Sequence, residues 1–191
     1  MARTFAQEMR SIGAQLSDGR IDHPQSQRAL SDALRRRFRC ARIAYWTLHG
    51  KPGDRLMRCV FSHGDALAER SLGEVITEAD CPEYFAALTE RRVWACEDTL
   101  VASDLAPIRI RYERPEAARA LLEAAFSVNG KPFGVLCCEH VGSARRWTHA
   151  EVMSMMRCAS GMALFITRYE RERPVAAMEP VTTPEGDAAA A

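Results

Sequence analysis

At 191 residues the chain suits one domain with short extensions, a length that buries a substantial core. Lys+Arg 26 against Asp+Glu 25 leaves a formal net charge of +1, so no global field draws nucleic acid or an anionic lipid surface. The amino-terminal residues lack the continuous apolar run of a secretory signal, and no stretch is apolar for long enough to span a bilayer. A cytoplasmic protein with neither a nucleic-acid nor a membrane partner is expected. Seven cysteines (Cys40, Cys59, Cys81, Cys96, Cys137, Cys138 and Cys158) form an odd set without a Cys-x-x-Cys repeat. That pattern argues against a disulfide scaffold or zinc knot and for small buried hydrophobes.

Residues 4–17 read as a helix, with Phe5, Met9, Ile12 and Leu16 at steps of three or four, ended by Ser17-Asp18-Gly19. After a polar connection through His23-Pro24, a second helix is expected over 26–39, with Leu30, Ala33, Leu34 and Phe38 apolar. Arg35, Arg36, Arg37 and Arg39 cluster at its end. Cations there complement the helix dipole, and without interleaved aromatics the cluster is no nucleic-acid patch. Strands follow at 41–48 and 56–61 around a turn at 50–54, and a third at 74–77. Asp80 and Glu83 have capping-box spacing, which predicts a short helix over 81–88, with a strand at 92–96 behind it. Asp104-Leu105-Ala106-Pro107 reads as a loop, and a helix is expected over 114–120.

Asn129-Gly130 between two apolar runs is a hairpin signal, because a type I′ turn needs positive φ at both central positions. With Val128 facing Lys131, a strict period of two pairs Phe126 with Phe133, Ala124 with Val135 and Leu122 with Cys137 on one face. The other face then carries Leu121, Glu123, Ala125, Gly134, Leu136, Cys138 and His140. Both faces are mostly apolar, so both are expected to be covered. Thr148 three residues before Glu151 opens the last helix as a capping box. Val152, Met155, Met156, Ala159, Met162, Ala163, Ile166 and Tyr169 make its stripe, and Pro174 ends it. The tail from 174 to 191 lacks periodicity and is expected to be disordered.

The run Val128-Asn129-Gly130-Lys131-Pro132-Phe133-Gly134-Val135-Leu136-Cys137-Cys138-Glu139-His140-Val141-Gly142, then Arg145-Arg146-Trp147-Thr148 and a long terminal helix, resembles the closing half of a GAF domain. It is similar above all to the sensor GAF domains that bacteria place ahead of diguanylate cyclases and histidine kinases. Asp80-Cys81-Pro82-Glu83-Tyr84 resembles the Asp-x-Pro-x-Tyr of the same domains, and the helix-strand-turn-strand opening matches how they begin. The resemblance implies an α+β fold, an α/β/α sandwich. Its central antiparallel sheet carries the terminal helices on one face and short helices and loops on the other. The expected division is an amino-terminal helix and linker at 1–25, the GAF-like domain at 26–173 and the tail at 174–191. Such domains bind small molecules or dimerise and relay a signal, and are rarely enzymes. No kinase, cyclase or helix-turn-helix signature is present, so output is expected through a signalling partner protein or the domain alone.

Six residues are candidates for ligand contact: Trp46, Tyr84, Phe85, Glu123, Cys138 and His140. Tyr84 and Phe85, with Trp46 and Trp94, either wall a pocket or fill the core, since both use the same residue types. Cys137-Cys138-Glu139-His140 invites a metal or haem reading. Alternation sets Cys138 and His140 on one face and Cys137 and Glu139 on the other, so two ligands would need help, for example from Glu123. The plainer alternative is that these are satisfied core residues. The GAF branch that reduces free methionine sulfoxide uses a cysteine-bearing loop motif not visible here. Cys81, at an expected helix amino end, is the best remaining nucleophile. The Asn-Lys-x-Phe-Asp-Glu signature of cyclic-nucleotide-binding GAF domains is missing. Trp147 is expected to pack the last helix onto the hairpin. The reading is therefore a non-enzymatic sensor with an unidentified ligand, homodimeric through its helices. Met153, Leu164 and Phe165 lie off the stripe of the last one.

Overall fold

A computed structural model of the chain describes residues 5–64 and 72–172, with side chains to residue 162. The chain runs α1 (Phe5–Ser17), α2 (His23–Phe38), β1 (Arg42–Lys51), β2 (Asp54–Gly64), β3 (Val75–Thr77) and α3 (Pro82–Ala86). It continues through a π-helical turn (Ala87–Arg91), β4 (Val93–Cys96), a 3-10 helix (Ser103–Tyr112), β5 (Ala118–Val128), β6 (Lys131–Val141) and α4 (His149–Glu172). The six strands form one sheet in the order β3-β2-β1-β6-β5-β4, with every pairing antiparallel. The expected sandwich is present: α1, α2 and α4 pack on one face, and α3, the π turn and the 3-10 helix on the other. The tail at 174–191 lies outside the described residues.

The hairpin turn has the predicted geometry, with φ of 51° at Asn129 and 78° at Gly130. Val128 faces Lys131, but the register then slips, because Phe133 is an extra residue on β6 and Phe126 pairs with Gly134. Two neighbours favour this bulge. Pro132 cannot donate to the ladder, and Gly134 lets β1 approach so closely that a Cβ would lie 2.4 Å from the Trp46 carbonyl oxygen. Beyond the bulge Ala124 pairs with Leu136, Glu123 with Cys137 and Leu122 with Cys138, which corrects the strict alternation. Phe133 and Leu136, three residues apart, now pack on the same helix-covered core.

Local chemistry moves other boundaries. Asp22 and Gln25 form a capping box, so α2 starts at His23 with Pro24 in its first turn, not at 26. Asp80 does not cap α3. Its carboxylate accepts the Thr77 hydroxyl at 2.6 Å, and the cap position falls to Cys81 with no side-chain bond. No helix forms over 114–120. The 3-10 helix precedes it, and β5 already begins at Ala118. The Thr148–Glu151 box is present in both directions, at 2.8 and 3.2 Å. The arginines closing α2 tie helices together: Arg36 pairs with Glu8 of α1 and Arg37 donates to Ser154 of α4.

Candidate functional site

The bulge decides which residues can meet. On the face under the 3-10 helix, β1 presents Ala44 and Trp46, β5 presents Leu121 and Glu123, and β6 presents Val135, Cys137 and Glu139. On the helix face lie Ile43 and Tyr45, Leu122 and Ala124, and Leu136 and Cys138. Glu123 therefore does not share a face with Cys138 and His140. The expected grouping is corrected by the one-residue slip at Phe133. Cys138 packs in the helical core, its thiol 3.9 Å from the Met155 sulfur. His140, opposite Ala120, is half-buried, and burial and the nearby Arg145 cation lower its pKa.

The 3-10 helix crosses this face from one sheet edge to the other. At its start Asp104 accepts the Trp94 indole N–H of β4 at 2.6 Å. At its end Arg111 donates to the Val75 carbonyl of β3 at 2.7 Å and pairs with Glu74 at 3.5 Å. Leu105 and Ile108 are buried between these anchors. Beneath the Arg111 end a cavity of about 50 Å³ opens against β1 and β6. Trp46, Tyr112, Glu123, Cys137 and Glu139 line its interior, with Arg42, Arg111 and Arg114 around it.

Glu123 is 3 % exposed. Its Oε2 accepts the Tyr84 hydroxyl at 2.7 Å, and the Cys137 thiol also bonds to it. Burial outweighs both hydrogen bonds and, with Glu139 nearby, pushes its pKa up to about 7. Glu139 is held by a buried ion pair with Arg42 at 2.7 Å, and Arg42 also donates to the Glu116 carbonyl at 2.9 Å. Trp46 is 7 % exposed, and its indole Nε1 has no hydrogen-bond partner among the described residues. A buried N–H left without an acceptor is costly.

Of the six candidates, Trp46 and Glu123 line the cavity, and Tyr84 supports Glu123 from behind. Phe85 is fully buried and meets Tyr84 edge-on, with ring centroids 5.8 Å apart; it fills the core. Trp94 stacks on Tyr84 in the same way, at 4.9 Å. Arg42, Tyr112, Arg111 and Arg114 were not foreseen. The first had a signal, since Arg42 stands two steps of alternation before Trp46 on a strand beside Glu139. Cys81 is buried with its pKa raised by burial, which removes the thiolate that a nucleophile needs. Burial likewise pushes Cys59 and Cys96 up to about 12. Among the described residues no three His, Cys, Asp or Glu side chains converge to hold a metal. Trp147 packs as expected, its indole donating to the Cys96 carbonyl at 3.2 Å and Arg145 lying 4.1 Å above its ring.

The GAF-domain pattern matches residues 25–166. The chain belongs to the GAF family. No curated protein matches it. Among solved structures it is similar to the phycoerythrobilin-bound GAF domain of a cyanobacterial phytochrome, at 13 % identity and a TM-score of 0.70, covering 90 % of this chain and 99 % of that one. The Stigmatella aurantiaca phytochrome photosensory core module matches at 16 % identity and TM-score 0.63, over 90 % of this GAF chain and 39 % of the module. The GAF domain/HD domain protein of Geobacter sulfurreducens matches at 15 % and 0.59, over 88 % and 99 %. At these identities the likeness is one of fold.

Proposed function

We propose that this GAF domain is a non-enzymatic sensory or regulatory module that binds a compact small molecule beneath the 3-10 helix and relays its presence through the helical face. The observation that carries this reading is Glu123, a buried ionisable group that has no cationic partner among the described residues and lines a cavity beside the Arg42–Glu139 ion pair. Structural neighbours that hold bilins support a small-molecule role for the fold. The ligand class differs, because a cavity of about 50 Å³ is far below the roughly 300–1,000 Å³ of drug-sized pockets. A redox enzyme of the methionine-sulfoxide type would need a reactive thiolate, and burial holds Cys59, Cys81, Cys96, Cys137 and Cys138 protonated near neutral pH.

The relay would pass through β5 and β6, whose alternate side chains touch both the cavity and the core under α2 and α4. A ligand shifts such a system only by its different affinity for two arrangements. Native mass spectrometry of freshly purified protein tests the reading. We expect a mass excess that mild activation releases as one small compound, and that Glu123→Ala abolishes. A bare polypeptide mass in every preparation, unchanged when cell extract metabolites are added back, would count against it.

A further inference from the structure

One thiol contact in the helix-covered core is unlike the others. Cys59 and Cys96 bond to the backbone of Phe61 and Asp98, Cys137 to the Glu123 carboxyl, and Cys158 to Ser154. Cys138 instead meets two sulfurs: its thiol is hydrogen-bonded to the Cys40 thiol and lies 3.9 Å from the Met155 thioether. The backbone sets the two cysteines side by side. Ile43 pairs with Cys138 across β1 and β6, and the Ala41 N–H donates to the Glu139 carbonyl at 2.8 Å, so the chain just after Cys40 is fixed to the strand that carries Cys138. Arg39, at a left-handed φ of 49°, ends α2 and turns Cys40 into the same core. Of the pair only Cys40 reaches the surface, at 7 % exposure against 0 % for Cys138.

Two thiols held in contact, one of them open to a small solute, are placed to be joined by an oxidant. We propose that Cys40 and Cys138 form a reversible disulfide on exposure to a hydroperoxide, and that this bond is a redox input to the helical layer. With hydrogen peroxide the steps balance. The Cys40 sulfur attacks one peroxide oxygen as the O–O bond breaks, leaving a Cys40 sulfenic acid, and the departing hydroxide takes the thiol proton as water. The Cys138 sulfur then attacks the Cys40 sulfur, the S–O bond breaks, and the second hydroxide leaves as water with the Cys138 proton. Two thiols are oxidised by two electrons, and the peroxide is reduced to two waters. A dithiol reductant reverses the bond by exchange. No charge is left in the core, since the disulfide is as neutral as the thiols. Closing the contact to a covalent bond draws the α2–β1 connection onto β6. Just before that connection, Arg37 donates to Ser154 of α4 and Arg36 pairs with Glu8 of α1, so the end of α2 is already tied to both other helices. The pair and the cavity lie on opposite faces of the sheet, so this inference does not depend on the cavity's ligand.

Mass spectrometry of the full chain tests this. Reduced, folded protein is treated with hydrogen peroxide, then denatured in N-ethylmaleimide and digested without reductant. Of the seven cysteines, we expect Cys40 and Cys138 to escape alkylation, to appear joined in one cross-linked peptide, and to be freed by dithiothreitol. Cys158→Ser should still form the bond, and Cys40→Ser should not. The peptide map of the parent chain decides the pairing by itself should Cys40→Ser fold poorly. Amide hydrogen exchange over residues 35–40 should slow by about threefold or more in the oxidised chain. Its thermal midpoint should rise, because the bond closes a long loop of the unfolded chain. Alkylation of every cysteine after saturating peroxide, a bond from Cys138 to Cys158, or sulfinic acids in place of a bond would each overturn the pairing. A Cys40–Cys138 bond that leaves exchange at the end of α2 unchanged would overturn the redox input to the helices.

Discussion

Glu123 is the residue on which the cavity's electrostatics turn. Tyr84 from α3 and Cys137 from β6 bond to it, while Tyr112 from the 3-10 helix and Glu139 from β6 face the same space. Its pKa rises from an ordinary 4.5 to about 7 on folding, so the folded chain keeps a proton that the unfolded chain has lost. Stability from this group is fully present below about pH 4.5 and is lost progressively as pH climbs to about 7, for a total on the order of 3 kcal/mol. Urea unfolding at pH 5 and pH 8 checks the sign. The wild-type chain should lose stability across that interval, and Glu123→Gln should lose much less. An equal loss in both would place the titrating group elsewhere. The raised tyrosines and cysteines play no part in that window, since burial moves their titration upward and away from it.

At the scale of elements, the β6 bulge does more than any other feature to build the site. Without the extra Phe133, Cys137 and Glu139 would turn to the helices, and Cys138 and His140 would meet Glu123. Gly134→Ala should destabilise the fold by about 2 kcal/mol or more, because the new Cβ meets backbone oxygen of β1 that cannot move aside. Thermal unfolding measures the loss, and a change below ~0.5 kcal/mol would mean that β1 yields freely. The hairpin, its turn and the last helix were legible in the sequence because Asn129-Gly130 and Thr148–Glu151 act through neighbours. The bulge was not, since alternation across Lys131–Val141 reads equally well in either register until β1 is in place. The 3-10 helix was hidden for a similar reason. Its anchors, Asp104 on Trp94 and Arg111 on Val75, are tertiary contacts and not local propensities. Hence Trp46 and Glu123 could be named from residue type, whereas Arg111 and Arg114 depended on where the 3-10 helix and the connection after it lie against the sheet.

Across the whole molecule the sheet is a partition with two different cores. One lies under the helices α1, α2 and α4, and the other is crossed by the 3-10 helix. A sensor needs the first to feel changes in the second, and then to present them outside. The outer surface of α4 carries Met153, 38 % exposed, while Met155 and Ala159 are buried against the sheet side. A single exposed methionine is unremarkable alone. It stands on the helix that continues to Glu172, and α1 and α2 lie on the same side of the sheet. Association of two copies through these helices would join their layers and give the cavity a route to an output. Sedimentation velocity at tens of micromolar should therefore show a dimer, and Met153→Glu should shift it at least tenfold toward monomer, because a desolvated carboxylate opposes an apolar contact. Far-ultraviolet circular dichroism of the variant should match the parent, since the site is at the surface. A parent that sediments as a monomer at that concentration would leave the relay to a different partner protein, and a dimer indifferent to Met153→Glu would move the contact off this face of α4.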